Sequence, residues 1–139
     1  MPRYLVVANQ TLVSTELMER VWQRLEGDVS NFHLVVPATR LRQSWTWTNG
    51  RAHALASERL RAALDRFAAI GVEATGEVGD ANPMAAISDC MLAARFDGII
   101  LSTLPPGRSE WLKQDLPSRV GRAFGVPVTH VVAGRVPVG

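Results

Sequence analysis

Apolar residues along this chain fall into two kinds of pattern: short unbroken blocks, and longer stretches in which they recur every three or four positions. Tyr4 to Ala8 is the first block, rich in valine, and it suits a strand covered on both faces of a parallel sheet. Asn9-Gln10-Thr11 ends it, and Ser14 can cap a helix whose Leu17, Met18, Val21, Trp22 and Leu25 share a face. Glu16 suits the positive end of that helix dipole, and Gly27-Asp28 closes the helix. Phe32 to Val36 is a second block, stopped by Pro37, which has no N–H to give a ladder.

The thirteen residues from Ala38 to Gly50 lack periodicity and read as a polar loop. Ala56, Leu60, Ala63, Leu64 and Phe67 then mark one face of a long helix that ends before Gly71. Val72 to Val78 alternates, as an edge strand does. In Gly79-Asp80-Ala81-Asn82-Pro83, Asn82 can cap a helix and Pro83 fits its first position, where a missing N–H costs nothing. That helix runs through Ile87, Cys90, Met91 and Ala94. Gly98 to Leu101 is a fourth strand, Ser109 to Phe124 a further helix, and Val126 to Ala133 a fifth strand.

Five strands alternating with four helical segments predict an α/β fold, a doubly wound open parallel five-stranded sheet with helices on both faces, since crossovers between parallel strands are right-handed. Residues 1–133 are expected to form one domain and 134–139 a flexible C-terminal tail. In such sheets ligands sit at the carboxyl ends of the strands where the winding reverses, which directs attention to the loops after the first and fourth strands.

Composition narrows the function more by exclusion than by signal. Hydrophobic residues make up 47% and charged residues 20% of the 139 positions, too apolar for a disordered chain. No apolar run reaches the roughly 20 residues of a membrane span, and the apolar run after Met1-Pro2-Arg3 is too short for a signal-peptide core. A soluble cytoplasmic protein without a membrane partner is therefore expected. Cys90, the single cysteine, lies inside an apolar helical pattern and is expected to be buried filler. Fourteen of the fifteen basic residues are arginine, spread along the chain beside acidic residues, so solvated helix faces are expected and nucleic acid is not.

No Gly-x-Ser-x-Gly elbow, Gly-x4-Gly-Lys-Ser/Thr loop or early Gly-x-Gly-x2-Gly occurs, which weakens hydrolase, P-loop and dinucleotide readings; an enzyme is not expected. His33, His53 and His130 fall in three different elements without i, i+4 spacing, and no metal is expected. Arg40-Leu41-Arg42-Gln43-Ser44-Trp45-Thr46-Trp47 interleaves basic and aromatic residues, a composition able to stack bases or to anchor a protein partner at Trp45 and Trp47 from a mobile or partner-facing loop. Tryptophans folded back over the sheet, with solvated arginines, would look the same in sequence.

Several of these segments together resemble the universal stress protein family. Tyr4-Leu5-Val6-Val7-Ala8-Asn9-Gln10-Thr11 is similar to its opening strand, where hydrophobics precede Asp-Gly-Ser, with Asn9 at the Asp. Gly79-Asp80-Ala81-Asn82-Pro83 resembles its Gly-Asp-Pro turn, Gly98-Ile99-Ile100-Leu101-Ser102-Thr103 its fourth strand, and Val126-Pro127-Val128-Thr129-His130-Val131-Val132 its closing strand. The resemblance spans nearly the whole chain and implies a Rossmann-like fold of the adenine nucleotide alpha hydrolase kind, with strand order 3-2-1-4-5. It also implies a nucleotide site between the first and fourth strands, and a homodimer joined through the fifth strand, whose apolar edge would otherwise be unpaired.

ATP-binding members carry Gly-x2-Gly-x9-Gly-Ser/Thr after the fourth strand, where backbone must approach phosphate closely. Counted back from Pro127 without gaps, those positions are Leu101, Leu104, Gln114 and Asp115, so ATP in the family manner is doubtful and Asp115 would repel phosphate. The resemblance therefore implies a binding module for an adenine nucleotide or other anion. Asn9, Gln10, Thr11 and Asp80 would lie on its base or ribose side; Ser102, Thr103, Gly107, Arg108 and Ser109 would face the phosphate, Ser109 near a helix N-terminus. The same residues suit an equal reading in which Pro105-Pro106-Gly107 simply shapes a turn and Arg108 is solvated. The alternative is a dimeric non-ATP-binding scaffold acting through protein contacts.

Overall fold

Strands and helices alternate through the residues that the computed structural model describes, 2–9, 11–12, 14–27, 31–38 and 46–133. They are β1 (Arg3–Val7), α1 (Thr15–Gly27), β2 (Asn31–Pro37), α2 (Thr46–Ala69), β3 (Ala74–Gly79), α3 (Pro83–Ala93), β4 (Gly98–Thr103), α4 (Glu110–Lys113), α5 (Leu116–Phe124) and β5 (Val128–Val132). All ladders are parallel, and the order is β3-β2-β1-β4-β5, the doubly wound arrangement expected. Residues 1, 10, 13, 28–30, 39–45 and 134–139 lie outside the described set, and with them Gln10, Asp28, Trp45 and the C-terminal tail.

The alternation of side chains along the strands divides the interior into two layers. Val6, Ala8, Phe32, Leu34, Val36 and Ile100 face α1 and α2, where Leu17, Val21, Ala56, Ala63 and Phe67 close over them. Leu5, Val7, Val35, Ile99 and Leu101 face the other way, against Ala86, Ile87 and Cys90 of α3 and Leu116 and Val120 of α5. Each fully buried Leu, Ile or Phe contributes about 1.5–3 kcal/mol, so the central strands, buried on both faces, carry most of the stabilisation. Gly79 lets α3 approach: a Cβ there would stand 2.8 Å from the Ala86 Cβ and 2.9 Å from Val35 Cγ2.

The caps expected of two helices form. Ser14 Oγ accepts from the Leu17 amide at 3.2 Å, and Asn82 accepts from the Met84 and Ala85 amides ahead of Pro83. Two expectations fail. The loop placed over 38–50 is shorter, because α2 already begins at Thr46, so Trp47 belongs to a helix; the weak polar periodicity of 46–50 concealed its first turns. The helix expected from Ser109 to Phe124 is two helices, α4 and α5, because the Pro117 ring lacks an N–H and collides with the carbonyl one turn back. Asp115 takes up the break in the left-handed conformation, at φ 54°. Trp22, placed with the apolar face of α1, is 49% exposed.

Candidate functional site

The polar side chains buried in this fold are concentrated at one place. Among the described residues, those buried are Asn9, Thr11, Ser102, Thr103 and Ser109, and all five line one cleft at the carboxyl ends of β1 and β4, with Leu104, Arg108, Glu110 and Trp111. This is where the sheet reverses its winding: β2 and β3 lie beyond β1 on one side, β4 and β5 on the other. Both strands run out of apolar residues here, so a hydroxyl or amide occupies each place where the chain turns out of the sheet.

The hydroxyls are bonded to one another and to the frame. Thr11 Oγ1 and Ser102 Oγ lie 2.7 Å apart across the gap between β1 and β4. Thr103 Oγ1 is 2.8 Å from His130 Nε2 on β5, and burial holds that imidazole below its ordinary value of 6.5. Asn9 is tied at both ends of its amide: Nδ2 donates to the Pro37 carbonyl at 2.6 Å, and Oδ1 accepts from Arg59 Nη1. This brings Arg59 of α2 to the rim of the cleft. The Thr103 and His130 pair has the spacing of a hydroxyl and its base, but among the described residues no carboxylate orients the other ring nitrogen as such a dyad requires.

Six of the nine residues read from the sequence meet in the cleft: Asn9, Thr11, Ser102, Thr103, Arg108 and Ser109. Gln10 lies outside the described residues. Gly107 does not line the cleft; at φ 88° it forms the turn in which the Arg108 amide donates to the Pro105 carbonyl at 3.0 Å. Asp80 also lies apart, exposed and accepting from the Asn82 amide at 2.8 Å, so it shapes the entry to α3. The helix N-terminus expected at Ser109 is the start of a single turn, and Ser109 Oγ is occupied in capping it through the Leu112 amide. Gln114 and Asp115 are not part of the lining; the carboxylate that is belongs to Glu110.

Leu104, read from the sequence as standing at a family glycine position, lines the cleft; Glu110 and Trp111 complete the lining and were not singled out, although both lie beside the Pro-Pro-Gly loop. Arg59 and His130 gave no signal, because each reaches the site from an element whose register fixes its neighbour. The cleft measures about 110 Å³, against roughly 300–1,000 Å³ for sites that enclose a drug-sized ligand. A phosphate-sized group fits within it; a whole nucleotide would extend beyond the described walls.

Fold and cleft define a doubly wound α/β protein with its candidate site at the switch point. Solved structures of universal stress proteins share this architecture. One, a universal stress protein family protein from Arabidopsis thaliana crystallised with AMP bound, is 14% identical, with a TM-score of 0.64 over 95% of this chain and 92% of its own. Another, the universal stress protein from Archaeoglobus fulgidus, is 15% identical, also with a TM-score of 0.64, over 94% of this chain and 93% of its own. No family model and no curated protein matches the sequence. The likeness is one of fold.

Proposed function

We propose that this chain is a universal stress protein-like regulatory module that binds a small anionic ligand of the adenine nucleotide class in the cleft between β1 and β4. The observation that carries the reading is the gathering of the five buried polar residues at that cleft, with Arg59 and Arg108 beside it. Hydroxyls and guanidinium groups are donors suited to phosphate oxygens. The AMP bound to the Arabidopsis neighbour, which shares this topology, supports the same ligand class.

The cleft favours one phosphate over three. Leu104 puts a side chain where backbone would otherwise approach phosphate, and Glu110 places a carboxylate in the lining. A binding module is supported over a catalyst by the way the hydroxyls are engaged with one another and with His130. A thermal-shift comparison of AMP, ATP, cyclic AMP and inorganic phosphate tests the reading. AMP or phosphate should stabilise the protein more than ATP does; stabilisation by none of the four would contradict it.

The small cleft and the absence of the family's glycines support a second reading, a dimeric scaffold that acts through protein contacts. Among the described residues β5 pairs only with β4, and an edge strand of that kind suits pairing with a second copy. Val131 is buried, facing α1 and not that edge, so backbone pairing would have to make the contact. Sedimentation at micromolar concentration should give a dimer, and a monomer would refute the β5 interface.

A further inference from the structure

Away from the cleft, three side chains capable of binding a metal converge where α3 packs on the β2–β3 edge. His33 of β2, Glu77 of β3 and Cys90 of α3 place one ligand atom each within 4.8 Å of the others. The ladder explains two of them: His33 pairs with Thr75 and Val35 with Glu77, so His33, Thr75 and Glu77 share the face that α3 covers. His33 Nε2 lies 3.2 Å from Glu77 Oε2, and Cys90 Sγ lies 3.5 Å from Glu77 Oε1. We propose that His33 Nε2, the Glu77 carboxylate and Cys90 Sγ form a binding site for a zinc-class divalent cation that ties α3 to the edge of the sheet.

The distances match a tetrahedral ion. Bonds of about 2.0–2.3 Å at a tetrahedral angle place N and O ligands roughly 3.3 Å apart and S and O ligands roughly 3.6 Å apart. His33 Nε2 and Cys90 Sγ stand at such spacings from the two different oxygens of Glu77, so a turn of that exposed carboxylate brings one oxygen towards both, and the three ligand atoms already lie within 4.8 Å of one another. The imidazole is already oriented: Nδ1 lies 2.6 Å from Thr75 Oγ1, and when it donates there the Nε2 lone pair points towards Glu77.

The donor set is selective in kind. One thiolate, one carboxylate and one neutral imidazole together carry two negative charges, which neutralise a divalent cation, and the soft sulfur favours zinc over magnesium or calcium. In the metal-free protein the Cys90 thiol hydrogen-bonds to Glu77 Oε1 at 3.5 Å. A cation would take the place of the thiol proton, which is released to solvent, leaving the fourth position to water on the exposed Glu77 side. The site lies on different elements from the cleft and does not rest on the function proposed for it.

Titration of metal-free protein with cobalt(II), followed by absorption, tests the site. One equivalent should produce a thiolate-to-cobalt charge-transfer band with tetrahedral visible bands, and zinc should displace it. Cys90→Ser should abolish the charge transfer, Glu77→Gln and Thr75→Val should each weaken zinc binding by roughly ten- to a hundredfold, and His53→Gln should leave it unchanged. Should Cys90→Ser fail to fold, the wild-type titration and Glu77→Gln, at an exposed edge-strand position, decide the matter. Absence of a charge-transfer band at millimolar cobalt would overturn the proposal, as would unchanged affinity in Cys90→Ser or Glu77→Gln.

Discussion

The cleft at β1 and β4 and the cluster at β2 and β3 are both polar breaks in apolar layers, yet they are built in opposite ways. In the cleft the buried polar groups are neutral hydroxyls and one amide, each bonded to a neighbouring side chain or to backbone, over strands that are among the most deeply buried in the molecule. In the edge cluster an exposed carboxylate joins a half-buried imidazole and a buried thiol, on the outermost strand pair. Neutral donors backed by arginines suit an anion, whereas a carboxylate and a sulfur suit a cation. Burial also sets what each can tolerate: the cleft cannot be altered without disturbing the core, and the edge can.

That contrast predicts a gradient of effects. Leu101→Ala, directly before the cleft's Ser102 on β4, should cost about 2–5 kcal/mol of stability in urea denaturation, since Leu101 is fully buried and its neighbours are held by the sheet. Thr75→Val on exposed β3 should change stability by no more than about 0.5 kcal/mol. Equal losses at the two places would erase the distinction. Within the cleft, Ser102→Ala should cost about 1 kcal/mol by removing the partner of the Thr11 hydroxyl, and the double change with Thr11→Val should cost less than the sum of the single changes.

Much of this organisation was legible in the chain and some could not have been. Valine-rich blocks such as Tyr4 to Ala8 announce buried parallel strands, and Asn82-Pro83 announces a helix start, because the physics in both cases is local. Asn9, Thr11, Ser102 and Thr103 were legible for the same reason, as they stand where the apolar runs of β1 and β4 end. Pro117 did carry the signal for the α4–α5 break, outweighed by the apolar periodicity on either side of it. His33, Glu77 and Cys90 were invisible, because their proximity depends on the β2–β3 register and on the closeness of α3 that Gly79 permits. Arg59 beside Asn9 is a product of tertiary packing in the same way.

A smaller effect separates the two regions by pH. Burial lowers the folded pKa of His130 below its ordinary value of 6.5, so the unfolded chain binds the proton more readily. Its contribution to stability is intact above pH 6.5 and is lost as the pH falls from there towards the folded pKa. The urea midpoint should therefore drop between pH 7 and pH 5, and His130→Gln should reduce that drop; an identical drop in the variant would place its cause elsewhere.

The central claim, that the switch-point cleft is the ligand site, is tested most directly by titrating isotope-labelled protein with AMP and following the backbone amide resonances. Saturable shifts should concentrate at Thr11, Ser102, Thr103, Arg108, Ser109 and Trp111, with those of Thr75, Glu77 and Cys90 unmoved, and Ser102→Ala should weaken the titration. No saturable shift with AMP or inorganic phosphate, or shifts centred on another surface, would contradict it.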